Sequence, residues 1–108
     1  MKNERRHGRM LSLIKRLSAE FLLREAGIQS LVTVTNAVLS EDNKCATIFL
    51  TAYPETQEAG VLLFSKRKAG EIRDYIKEHA RIGQIPFLKF EIDRGEKNRR
   101  RIEELSKE

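Results

Sequence analysis

The sequence predicts an α+β domain in which helices pack on one face of a three-stranded sheet. Three observations carry that expectation. Met10, Ile14, Leu17 and Phe21 recur at helical spacing near the start of the chain. Two runs rich in valine and threonine flank a short polar turn. A long helical segment, interrupted by basic residues and a glycine, then leads into an alternating run after Pro86.

The first helix is expected from about Arg9 to Glu25. Its four apolar residues make one stripe, widened by Leu13, while Arg5, Arg9 and Arg16 fall on another face. Gly27 is placed to close it in a left-handed cap. Strands are expected over Ser30–Ser40 and Cys45–Tyr53. The intervening Ser40-Glu41-Asp42-Asn43-Lys44 is polar and turn-forming, which makes the pair a hairpin. In the second strand, Ala46, Ile48 and Leu50 alternate with Cys45, Thr47 and Phe49, and only the first set is fully apolar. That asymmetry fits a sheet covered on one side.

Pro54 ends the second strand. A helical region follows from about Thr56 to Arg81, with Val61, Leu62, Ala69, Ile72 and Ile76 as its apolar side. Gly70 lies in its middle, where glycine costs about 1 kcal/mol relative to alanine, so a kink is expected there. Gly83 is expected to cap this region, and Pro86 to open a third strand, Pro86–Ile92, in which Leu88, Phe90 and Ile92 alternate with Lys89 and Glu91. The long crossover between the second and third strands suits a parallel pair. Residues 1–93 then form the domain. The tail 94–108 is nearly all charge, and its Arg99/Glu103 and Arg100/Glu104 pairs support a helix.

With 108 residues there is room for one hydrophobic core. Charged residues make up 34% of the chain, which argues against a large buried substrate cavity. The net charge of +5 favours polyanionic partners, because each cation laid on a phosphate releases condensed counterions. The excess is localised in residues 1–25 and 65–82, while residues 26–64 are mildly acidic. One cysteine, Cys45, leaves no internal disulfide, and with only His7 and His79 no zinc cluster is expected. Met10–Leu23 is interrupted by Lys15, Arg16 and Glu20, so neither a membrane span nor a secretory signal is expected, and the cytoplasm is the default location.

The glycines at 8, 27, 60, 70, 83 and 95 make no phosphate loop, and no nucleophile stands beside a histidine in a recognisable pattern. An enzyme is therefore not expected, nor a cofactor or small-molecule substrate. The binding signal is stronger. Drawn on a continuous helix, Lys66, Arg73, Lys77 and Arg81 share one stripe, Glu71, Asp74 and Glu78 a second, and Ile72 and Ile76 a third. One sign of charge on one face suits a phosphate backbone. At Gly70, with Lys66, Arg67 and Lys68 beside it, helix-start N–H groups can meet a phosphate. KH modules clamp a nucleic-acid backbone with a GxxG loop between helices. The matching residues here are Arg67-Lys68-Ala69-Gly70, without the first glycine.

The residues in this order resemble the ribosome-binding factor A family over about Arg5 to Leu105. The carriers are Val32-Thr33-Val34-Thr35 with Val38, Ser40 and Asp42; Ala46, Ile48 and Leu50; Ala69-Gly70 with Ile72-Arg73; Ile85-Pro86, Leu88, Phe90 and Asp93; and Arg101-Ile102 with Leu105. The resemblance implies a KH-like type II fold of order α-β-β-α-kink-α-β with one parallel strand pair. It implies a non-catalytic, monomeric bacterial or organellar assembly factor. Such a factor binds the free small (30S) ribosomal subunit and its 16S rRNA, and assists late maturation and rRNA processing. The family kinks its helix pair at an Ala-x-Gly element. Lys68 stands at the alanine position here, and the family's Asp-Pro-Arg before the first strand is replaced by Glu25-Ala26-Gly27-Ile28. The residues expected to contact RNA are Arg9, Arg16, Lys66, Arg67, Lys68, Gly70, Arg73, Lys77 and Arg81. Two alternatives stay open at this point: a general KH-like RNA binder in translation, and a protein-interaction module docking through its tail or a sheet edge.

Overall fold

The computed structural model describes residues 2–25, 31–81 and 83–95, with backbone only for residues 2–7. Helix α1 (Lys2–Glu25) leads into strands β1 (Leu31–Leu39) and β2 (Cys45–Tyr53). After a 3-10 turn at Glu55–Gln57 come helices α2 (Glu58–Arg67) and α3 (Ala69–His79), then strand β3 (Phe87–Ile92). β2 is central in the sheet, antiparallel to β1 and parallel to β3. This is the element order and the single parallel pair that the resemblance implies.

The inner face of β2 is the floor of the core, with Ala46, Ile48 and Leu50 inaccessible to solvent. Ile14, Leu17, Phe21 and Leu22 of α1 pack onto it from the β1 side. Ile72 and Ile76 of α3, Val61 of α2 and Phe90 of β3 close it from the other side. Helices α1, α2 and α3 lie on this face, and Thr33, Asn36, Val38, Phe87, Lys89 and Glu91 of the opposite face are at least partly open to solvent.

A bulge in β1 sets the register. Val34 pairs with Leu50 and Asn36 with Phe49, leaving Thr35 as the extra residue. Strict alternation from Val34 would have turned Asn36 and Val38 inward. The inserted residue instead aligns Ala37 with Ile48 and Leu39 with Ala46, so the half-buried pair keeps to the core side. The Thr35 hydroxyl is shared between the Phe49 carbonyl and the Asp93 carboxylate, which ties the bulge to the end of β3.

β1 and β3 each fall within a residue of the expected bounds and α2 starts two residues late, at Glu58, and three further boundaries differ. α1 begins at Lys2 rather than Arg9, because Lys2–Gly8 carries no apolar stripe and only its helix-favouring charged residues mark it. The long helix breaks at Lys68 (φ −93°, ψ 4°) rather than at Gly70, which lies in the first turn of α3. A straight helix from Glu58 to His79 would run about 33 Å against about 20 Å for β3, so the bend keeps both halves over a short sheet. Finally, α3 stops at His79, and the extended Ala80 donates its N–H to Ile76 O, so Gly83 is not the cap. Gly27 and residues 96–108 of the tail lie outside the described residues. Among the described residues no helix is long and apolar enough to cross a membrane.

The β1–β2 turn is organised by side chains. Asn43 takes a positive φ of 62°, a conformation asparagine tolerates. The Ser40 hydroxyl donates to Asp42 Oδ1 at 2.7 Å, and the Lys44 N–H donates to the same oxygen at 3.1 Å. These bonds, the Ser40 one foremost, hold the exposed Asp42 carboxyl below its ordinary value of 3.8. A lowered folded pKa means that the bonds favour the folded turn above the ordinary value and lose that effect as pH falls through the folded pKa. An NMR titration should therefore place the Asp42 midpoint below 3.8, and Ser40→Ala should raise it. A wild-type midpoint at 3.8 or higher contradicts this account.

Candidate nucleic-acid interface

The break between α2 and α3 is a single residue. Lys68 N–H still donates to Phe64 O at 3.0 Å, and Lys68 O accepts from Ile72 N–H at 2.8 Å. One helix thus ends and the next begins on the same residue. Before it, the buried Ser65 turns its hydroxyl onto Val61 O at 2.8 Å, a back-bond that bends helices. No side chain caps the start of α3. The positive end of the α3 dipole therefore coincides with Lys66, Arg67 and Lys68.

The basic residues divide into free and engaged groups. Lys66 and Arg67 are exposed on the last turn of α2. Lys68 is half-buried, with Nζ 3.2 Å from Glu71 Oε1 and near the Phe64 ring. Gly70 is exposed, and a Cβ built on it meets nothing within 4 Å. Neither its backbone conformation nor its neighbours in the fold require glycine.

Arg73 is committed to the fold. Its Nη2 donates to Ile85 O at 2.7 Å, and its Nε lies 3.2 Å and 3.3 Å from the Ile85 and Pro86 carbonyls. Its guanidinium also lies 4.9 Å from the Phe87 ring centre. It clamps the entry of β3 to α3. Lys77 is exposed one turn further along α3. Arg81 is exposed too, but it lies beyond the end of the helix. The stripe of Lys66, Arg73, Lys77 and Arg81 is therefore not carried by one continuous helix: the break at Lys68 separates the first member, and the last is off the helix.

Arg9 and Arg16 are exposed on α1. Arg16 lies 3.9 Å from Glu20, with both side chains largely solvated, a pairing that contributes little. α1 packs on α3 and β1, and α2 packs on β3, so the two sets of cations flank α3 from opposite sides. Sequence reasoning missed a further group at the α1–α3 seam, formed by Phe21, Arg24, Tyr75 and His79. The one-turn spacing of Tyr75 and His79 is its only signal in the sequence. Among the described residues no group of three or more metal-ligating side chains gathers.

Residues 6–106 match the family model of ribosome-binding factor A. Ribosome-binding factor A of Prochlorococcus marinus (strain NATL1A) is 31% identical over 100 residues, covering 88% of this chain and 81% of that protein. The crystal structure of ribosome-binding factor A from Thermus thermophilus superposes with a TM-score of 0.68 at 23% identity, covering 79% of this chain and 93% of that one. A Thermus thermophilus ribosome binding factor A homology model fitted into the cryo-EM map of a 30S complex gives a TM-score of 0.66 at 25% identity, covering 78% and 91%.

The division of labour among the cations is measurable. Arg73→Gln should lower unfolding stability by about 1.5–3 kcal/mol, the range for hydrogen bonds to charged groups. Lys77→Gln on the same helix should stay within about 0.5 kcal/mol in the same urea titration. Equal effects would deny Arg73 its clamping role.

Proposed function

This chain belongs to the ribosome-binding factor A family, and on that premise we propose that it binds the free small (30S) ribosomal subunit in the cytoplasm, contacts its 16S rRNA, and assists late maturation and rRNA processing. The observation that carries the RNA contact is the break at Lys68. There the uncapped, positive start of α3 coincides with two free cations, Lys66 and Arg67, and with a glycine that the fold itself does not require. A phosphate can approach that point closely, because Gly70 presents no side chain.

The reading assigns the phosphate contacts to Arg9, Arg16, Lys66, Arg67, Lys77 and Arg81, with Lys68 joining when Glu71 releases it. Arg73 supports them from inside the fold, and no catalytic step is assigned. Residues 1–93 are the binding domain in this reading, with 94–108 as its charged tail.

If about six cations meet phosphates, the log–log dependence of subunit affinity on salt should have a slope of about −4 to −5. Replacing Lys66, Arg67 and Lys68 together by Glu should abolish co-sedimentation with free small subunits while leaving the circular dichroism melt intact. Binding that ignores salt, or survives the triple replacement, defeats the reading.

Gly70→Ala separates stability from function. Alanine in the first turn of α3 should raise stability by about 0.5–1 kcal/mol. The added methyl group stands where the phosphate would approach, so subunit binding should weaken. A variant that is both more stable and fully binding removes Gly70 from the interface.

A further inference from the structure

Tyr75 and His79 lie one turn apart on α3, on the side that meets α1. Their rings stack with centres 4.1 Å apart and planes tilted by 30°. Several contacts fix this pair. Phe21 meets Tyr75 edge-on at 5.8 Å, and the Arg24 guanidinium lies 5.0 Å from the Tyr75 ring centre. The Tyr75 hydroxyl donates to Glu20 Oε2 at 3.2 Å. His79 Nδ1 lies 2.8 Å from the Tyr75 carbonyl, so in the tautomer protonated there it donates to that oxygen and holds the imidazole in place.

This packing closes the α1–α3 seam but does not cover His79. The residue is exposed, and among the described residues Tyr75 is the one ring stacked on it. A flat ring stacked on Tyr75, with the exposed Arg24 over that tyrosine, is suited to stacking against an unpaired base. Single-stranded RNA is bound through such aromatic faces while cations track its phosphates. Arg24 is such a cation at the seam, and the exposed Arg16 and Arg9 lie about two and four turns further back along α1.

We infer that His79, backed by Tyr75 and Arg24, is a stacking platform for one unpaired nucleobase of the bound RNA. The inference rests on the RNA-binding reading above and adds a second contact to it, on the flank of α3 away from the α2 cations. Tyr75 is a positioning residue and His79 the contact residue. Stacking tolerates any base, so the platform fixes where the strand runs rather than which sequence it carries.

The test compares wild type, His79→Ala and His79→Phe on two probes: free small ribosomal subunits, and a short single-stranded RNA carrying 2-aminopurine, whose fluorescence falls on stacking. His79→Ala should weaken binding to both about tenfold and abolish the fluorescence loss. The salt slope should not change, since no phosphate contact is removed. His79→Phe keeps a flat ring without the ring nitrogens and should restore affinity and quenching. Wild-type affinity and quenching in His79→Ala, alongside lost binding in the Lys66, Arg67 and Lys68 replacement, would overturn the platform while the RNA reading stands. A salt slope reduced by His79→Ala and not rescued by phenylalanine would make His79 a phosphate contact and also overturn it. Failure of the wild type to bind either probe would remove both proposals.

Discussion

A sheet of three strands buried on one side gives the chain a single apolar floor, and every other element must reach it. The floor is narrow, because only β2 has neighbours on both edges. Ala46, Ile48 and Leu50 are sealed from water by contributions from α1, α3 and β3 together. This constraint explains the bulge at Thr35, which keeps the far half of β1 facing that floor. The broken helix serves the same floor, with Val61 of α2 and Ile72 and Ile76 of α3 reaching it from either side of Lys68. The Arg73 clamp belongs to the same logic: it fastens the start of β3 to the helix above it.

The interface follows from the solution to that packing problem. Breaking the helix at Lys68 produces a helix start in the middle of a basic run, so an electrostatic feature arises where the helix bends. The same bend sorts the cations. Arg73 is drawn into the fold and Lys68 toward Glu71, whereas Lys66 and Arg67 remain in water. Net charge sums over all of these residues, and the sorting decides which of them stay open to solvent.

Much of the fold was legible in the sequence because β alternation and helical periodicity survive into the packed state. β2 has the bounds its alternation marked, and the Ser40–Lys44 turn forms where polar residues cluster. The failures share a cause. Periodicity sees apolar residues only, so the polar first turns of α1 went unread, as did the buried Ser18. Glycine suggested the break, but the long-range fit of helix to sheet placed it two residues earlier. Lys66, Arg67, Lys77 and Arg81 are exposed as the charge pattern suggested, whereas Arg73 has partners twelve and thirteen residues away that no local pattern reveals. The Tyr75–His79 pair was hidden for the same reason, since its meaning depends on Arg24 and Phe21 arriving from another helix.

The parallel pairing of β3 with β2 also bears on how the chain emerges during its own synthesis. The hairpin of β1 and β2 can close while the rest is still being made, but one edge of β2 must then wait for β3, which follows both α2 and α3. Its backbone groups stay open to foreign strands throughout the synthesis of both helices. The Lys44 carbonyl, which receives Phe87, and the Leu50 carbonyl, which receives Asp93, mark the two ends of that waiting edge. A nascent chain stalled before Phe87 would thus leave the central strand as an edge, and completion of β3 is what pairs it.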